Sequence, residues 1–345
     1  MKKFQVKKML SLILSVLMLT ALLASCKSDG GESSTSSDVA STSSSEAPKP
    51  LKIGLVQFTE HASLDTIRES FLARIDEWGY DETKISIDYQ NGSGDTANLN
   101  SICQKFVGDG VDVIVAIATP AAQIAVSAVE GTDIKVVFAA VNNPVDSLGI
   151  KTPEKPEGNI TGTSDRIPVS STIDLALKVN PELKTFGLLY NSGETNSVDA
   201  VEAAKAYCAE KEIAVVEGTV SNTSEIQQVA TNLATQVDAI FTSTDNSIAQ
   251  NMPVVVEAAN AAKVPFYVGA DSMVKDGALA AIGIDYSKLG AETADQAIEI
   301  LEGKPVSEVP VKFFETYDTY INQTTLKTLG IEFPEDILSS AITFE

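Results

Sequence analysis

Two stretches decide the fold: Val111-Asp-Val-Ile-Val-Ala-Ile-Ala-Thr119-Pro-Ala-Ala-Gln-Ile and Val237-Asp-Ala-Ile-Phe-Thr-Ser-Thr244-Asp-Asn-Ser-Ile. Each opens on Val-Asp, runs as an apolar strand, and stops at small hydroxyl residues before a helical pattern. A continuous apolar run bounded by turn residues fits a strand buried on both faces, as in a parallel sheet. Thr119 followed by Pro120 and Ala121 reads as a helix start: the hydroxyl caps an orphan amide, and proline in the first turn loses no hydrogen bond. Such a corner aims backbone N–H groups past the sheet, toward a carboxylate or phosphate. Two corners, one in each half of the chain, predict two α/β lobes holding a ligand between them.

The 345 residues leave room for two domains after an N-terminal export segment. Lys2, Lys3, Lys7 and Lys8 form a basic head, residues 9–23 an apolar core, and Leu23-Ala24-Ser25-Cys26 a small-residue processing site ending in cysteine. The apolar core falls short of the ~20 residues of a spanning helix. The reading is a signal peptide over 1–25, a lipidated Cys26, and a flexible Ser-rich tether to residue 50. Loss of the four signal lysines takes the formal charge from −22 to −26, which argues against nucleic acid as a partner. Cys103 and Cys208 read as small core residues in different halves, not as a disulfide.

From Leu51 the pattern is strand, helix, strand, helix, and so on through Lys135–Val141, the order of a right-handed doubly wound sheet. Trp78, the only tryptophan, lies on the apolar stripe Leu64, Ile67, Phe71, Ile75 and is expected in the core. Asn159–Asp165 reads as a crossover, after which strands recur at 185–190, 214–220, 237–242, 265–269 and 279–284. Pro253 is expected to kink its helix or mark its true start. The tail beyond Phe314 carries little periodic signal.

Ligands of open α/β sheets bind beyond the carboxyl ends of the strands. Here those ends carry Gln57, Phe58, Glu60, His61, Thr119, Asn142 and Asn143 in the first half. In the second half they carry Asn191, Ser192, Thr244, Asp245, Asn246, Asp271 and Asp285. The set is rich in small polar groups and carboxylates and poor in lysine and arginine, which suits a zwitterion or a polyhydroxyl compound better than a phosphate. His61 is the sole histidine, and with no second histidine or zinc-type cysteine set it predicts no metal. No cofactor motif is present: there is no P-loop and no Gly-x-Gly-x-x-Gly after the first strand.

Several motifs in order resemble the ABC-transporter substrate-binding lipoproteins of the tryptophan/tyrosine/phenylalanine (TrpX-like) type. They are Gln57-Phe-Thr-Glu-His61-Ala-Ser-Leu-Asp65, Ala118-Thr-Pro-Ala-Ala-Gln123, Asn159-Ile-Thr-Gly-Thr-Ser-Asp165, Tyr190-Asn-Ser-Gly-Glu-Thr-Asn-Ser197, Thr244-Asp-Asn246 and Gly283-Ile-Asp-Tyr286. The resemblance implies a periplasmic-binding-protein type I fold: two doubly wound parallel-sheet lobes joined by three crossovers. It implies lobes over 51–162 plus 286–305 and 163–285 plus 306–345, with crossovers near 162–163, 283–285 and 305–311. It also implies a monomer on the extracytoplasmic face that passes an amino acid, mainly aromatic, to a membrane permease. Two positions depart from the pattern: Ala62 stands where proline usually follows the histidine, and Asn142-Asn143 where Thr-Asp usually precedes Pro144.

On this reading the ligand carboxylate meets Thr119–Ala121, and its ammonium meets Asp245 or Asp271, with Asp165 and Asp285 in reserve. The side chain would lie against Phe58, Leu64 and Tyr286. Each aspartate serves equally well as a helix cap or turn residue. Two other readings stand beside it. A nucleoside or sugar receptor of the same fold would stack its ligand on the strand-end aromatics. A cleft hydrolase would need a nucleophile elbow that is absent, or paired carboxylates.

Overall fold

The computed structural model describes residues 49–345. The signal peptide, the Leu23–Cys26 site and most of the tether lie outside the described residues. The first half runs β1 (Leu51–Gln57), α1 (Ala62–Glu77), β2 (Ile85–Asn91), α2 (Thr96–Gly108), β3 (Val113–Ile117), α3 (Thr119–Ala128), β4 (Lys135–Ala139), α4 (Pro144–Leu148) and β5 (Ile160–Ser164). The pattern restarts with α5 (Val169–Val179), β6 (Thr185–Asn191), α6 (Thr195–Glu210), β7 (Ala214–Val220), α7 (Ile226–Ala234), β8 (Ala239–Phe241), α8 (Asn246–Ala249), α9 (Met252–Ala262), β9 (Phe266–Val268), α10 (Asp271–Lys275) and β10 (Ala280–Gly283). Then come α11 (Tyr286–Leu301), β11 (Lys312–Phe313), β12 (Asp318–Asn322), α12 (Gln323–Leu329), α13 (Glu335–Ser340) and β13 (Ile342–Phe344).

Two sheets result. One has the order β11-β5-β4-β3-β1-β2, all parallel; the other is β13-β12-β10-β9-β8-β6-β7, with β12 antiparallel to β10. The central orders, β5-β4-β3-β1-β2 and β10-β9-β8-β6-β7, repeat one winding. In each, direction reverses once, between β1 and β3 and between β6 and β8. At such a switch point the flanking helices depart to opposite faces and leave a crevice above the strand ends. The central strands are apolar on both faces: Val113–Ile117 is wholly buried, as are Val136–Ala139. Cys103 and Cys208 are fully buried free thiols in different lobes, and burial pushes them up to about 12 and about 11.

The structure corrects several expectations. Asn159–Asp165 is mostly a sheet strand, because the threonines of β5 hydrogen-bond inward: Thr161 to the Val309 carbonyl and Thr163 to Thr293 on α11. The first passage between lobes is therefore residues 165–168, after Gly162–Thr163. Because β11 pairs with β5, the third passage is residues 314–317, beyond the expected 305–311. The tail supplies β12 and β13 to the second sheet despite its weak periodicity. Pro253 marks a helix start, in the first turn of α9. Trp78 is 48% exposed; it sits at the C-terminal end of α1 and donates its indole N–H to Asp295 on α11 at 2.6 Å. An end-of-helix indole with a carboxylate in reach gains a bond there that the core does not offer.

Helix α11 leaves the second sheet and packs along α1 of the first. Gly290 permits the approach: a Cβ there would collide with the Ile67 carbonyl oxygen. Its start, Tyr286, is thereby carried into the crevice between the sheets.

Candidate functional site

Both switch points face one small cavity of about 20 Å³. From the first lobe come His61, Ser63 and Leu64 at the start of α1, Ala118 and Thr119 at the start of α3, and Ala140 after β4. From the second come Asn196, Thr244, Asn246, Ala249, Ala270 and Met273. Asp165 and Tyr286, in the first two passages between lobes, complete the wall.

Local chemistry explains these placements. Ala118 and Ala140 hold positive φ, 80° and 56°, where a side chain beyond Cβ is strained. Those turns swing the ends of β3 and β4 toward the cavity with only a methyl group each. Helix α3 is capped by no side chain; Ala118 is the flanking residue and Thr119 the first helical one, so Thr119 is not the cap. Of this helix start only Ala118 and Thr119 reach the cavity wall, and the Thr119 amide has no partner within the helix.

Asp165 is 4% exposed, and burial raises it to about 6. Its Oδ2 accepts from the Tyr286 hydroxyl at 3.4 Å, while Oδ1 is buried with no partner among the described residues. Asn196, at the start of α6, donates through Nδ2 to the Thr244 carbonyl at 3.0 Å, leaving Oδ1 unpartnered.

The other carboxylates are not at the wall. Asp245 is fully buried, but its oxygens accept from the Ile248 and Asn191 amides at 2.9 and 2.7 Å, a helix cap within its own lobe. Burial and the neighbouring Glu194 charge raise its pKa. Asp271 pairs with Lys275 at 2.7 Å one turn along α10. Asp285 caps α11 through the Ser287 and Lys288 amides and borders a surface groove. The two aspartates expected to hold an ammonium are thus occupied elsewhere, and the reserve Asp165 faces the cavity.

Of the remaining expected residues, His61, Leu64, Thr119, Thr244, Asn246 and Tyr286 do line it. Gln57 is buried and braces the β1–α1 turn through Thr59, Asp65 and Arg68. Phe58 is core and Glu60 exposed. Pro120 and Ala121 are buried within α3. Asn142 lines a neighbouring cavity of similar size that shares Asp165 and Thr244. Asn143 caps α4, while Asn191 and Ser192 hold the β6–α6 turn. Ser63, Ala140, Asn196, Ala249 and Met273 were missed. Of these Ser63 and Asn196 carried a signal, standing in the Gln57–Asp65 and Tyr190–Ser197 motifs. Missed too was Glu194, buried just behind the wall, whose carboxylate accepts four hydrogen bonds from Asn246 and Ser247.

Hydrogen bonds cross directly between lobes around the cavity. His61 Nε2 meets Asn246 Oδ1 at 3.1 Å, Ser63 meets Ser272 at 2.5 Å, and Gln250 donates to the Thr59 hydroxyl at 2.9 Å. Gln123 donates to Thr195 and Asn143 to Asp199, each at 3.2 Å. The lobes are closed on each other.

Two like-wound lobes closed over a polar-and-apolar cavity define a two-lobed solute-binding protein. Over residues 52–344 the chain belongs to the ABC transporter substrate binding protein family. It is 37% identical to a tyrosine-binding protein of Clostridioides difficile over 94% of this chain and 93% of that one. A Streptococcus pneumonia ABC domain in complex with L-Trp is 37% identical, with TM-score 0.82 over 86% of this chain and 99% of that one. A ligand-free, open substrate binding protein from Clostridium difficile has the same identity and coverages but a TM-score of 0.66. With identity and coverage equal, the lobe arrangement here is nearer the L-Trp complex than the open form.

Proposed function

We propose that this chain is a lipid-anchored, extracytoplasmic receptor that captures a free amino acid, most of all an aromatic one, and delivers it to the permease of an ABC importer. The family supports the transport role, and the tyrosine- and L-Trp-binding relatives support the ligand class. The observation that carries the reading is Asp165: a buried, cavity-facing carboxylate with an unpartnered oxygen, on a cavity that also presents the uncapped start of α3. A zwitterion answers both. Its ammonium meets Asp165 and Asn196, and its carboxylate meets the Thr119 amide and hydroxyl. Its side chain lies against Leu64, Met273 and Tyr286. Binding without chemistry fits the site, since His61 is bonded to Asn246 and activates no nucleophile.

Thermal shift against amino acids, nucleosides and sugars tests the ligand. At 100 times its Kd a ligand stabilises the fold by about 2.7 kcal/mol. The expected result is a shift with aromatic amino acids that Asp165→Asn abolishes. Shifts with sugars or nucleosides alone would sink the reading. The anchor rests on the Leu23–Cys26 site and the tether after it. Cys26→Ser is expected to move the protein out of the membrane fraction; retention there would remove the lipid from the account.

A further inference from the structure

Three polar atoms at the cavity wall have no partner among the described residues: His61 Nδ1, Asp165 Oδ1 and Asn196 Oδ1. The surrounding bonds fix what each needs. Asn246 Nδ2 donates to Glu194 Oε2 at 2.6 Å, so the atom facing His61 is the Asn246 amide oxygen. An amide oxygen only accepts, so His61 Nε2 must carry the proton. Burial holds the imidazole below its usual range and neutral, against the opposing pull of the Asn246 bond and of Glu194, Asp65 and Asp276. Nδ1 is then a lone-pair acceptor. All three unpartnered atoms therefore seek donors.

They divide into two groups. Asp165 and Asn196 line the cavity with Thr244, whose carbonyl accepts from Asn196. That pair suits an ammonium. His61 is the third, on the first lobe at the start of α1 with Leu64 and bonded to Asn246 of α8.

We propose that His61 Nδ1 determines specificity, accepting a hydrogen bond from the donor at the tip of an aromatic side chain and so favouring tryptophan and tyrosine over phenylalanine. The inference rests on the amino-acid reading above. Phenylalanine would seal the cavity with Nδ1 unpaired, and a site built to bond a donor discriminates strongly against the analogue lacking it.

Calorimetry of the mature chain with L-Trp, L-Tyr and L-Phe tests this. The wild type is expected to bind the first two at least about tenfold tighter than phenylalanine, and His61→Leu to bring the three within about threefold of each other. His61→Leu also breaks the contact with Asn246, but that loss weakens all three ligands alike. Asn246→Ala breaks the same contact but keeps the imidazole, freeing the tautomer that the bond fixes, so it is expected to weaken all three and to narrow the ratio less than His61→Leu does. Wild-type protein that binds phenylalanine as tightly as tryptophan overturns the proposal, whatever the variants do. So does a ratio unmoved by His61→Leu. If none of the three binds, the amino-acid reading itself falls and takes this proposal with it.

Discussion

At the scale of single residues, the proposed contact of an ammonium with Asp165 would make binding depend on pH in a defined sense. Its folded pKa, about 6, lies above the unfolded value near 4, so its contribution to ligand-free stability is full below about pH 4 and lost as pH rises through 6. An ammonium beside it reverses the preference, because the complex needs the carboxylate ionised. Below about pH 6 binding must then release one proton, and affinity is expected to fall by up to about tenfold per pH unit. Calorimetry in buffers of different ionisation enthalpy reads the proton directly; an affinity flat from pH 7 to pH 5 would contradict the assignment. The same residue shows why the site was only partly legible. Asp165, Asp245, Asp271 and Asp285 all follow strands, and a carboxylate that caps a helix is spelled like one that holds a ligand. What separates them is direction: Asp245 and Asp285 turn back to their own helix amides, and Asp165 does not.

Among elements, the central strands were legible because burial on both faces demands unbroken apolar runs, as in Val113–Ile117. Strand β5 escaped because Thr161, Gly162, Thr163 and Ser164 spell a loop, and only the partners on α11 and beyond β11's approach make those hydroxyls buryable. Strands β12 and β13 are short and close one side of the second sheet, β13 as its edge, where little pattern is required. Helix α11 is the element that ties both lobes. Gly290→Ala would press a methyl against the Ile67 carbonyl and push α11 off α1. The expected cost is about 1–3 kcal/mol, read as a lower Tm. An unchanged Tm would mean that the crossing is looser than the packing implies.

For the whole molecule, the hydrogen bonds across the cleft join side chains from loops and helix starts, with three short passages as the only covalent links between sheets. Each such bond contributes about 0.5–1.5 kcal/mol net, so a ligand held by both lobes is well able to decide between open and closed. Small-angle scattering is expected to show a smaller radius of gyration at saturating ligand than without it. Identical profiles would argue against hinge closure as the response. The division into two like α/β lobes was legible from two matching Val-Asp corners. The true passage points were not, since they depend on which sheet the short strands β5 and β11 join.

The two buried thiols open a practical route to watching that motion. Cys103 and Cys208 are packed away, and their raised pKa values keep thiolate scarce at neutral pH. In a soluble chain lacking Cys26, a cysteine placed on the exposed surface of each lobe would outcompete them for a maleimide dye. With no core residue altered, such a chain would report its own ligand by fluorescence.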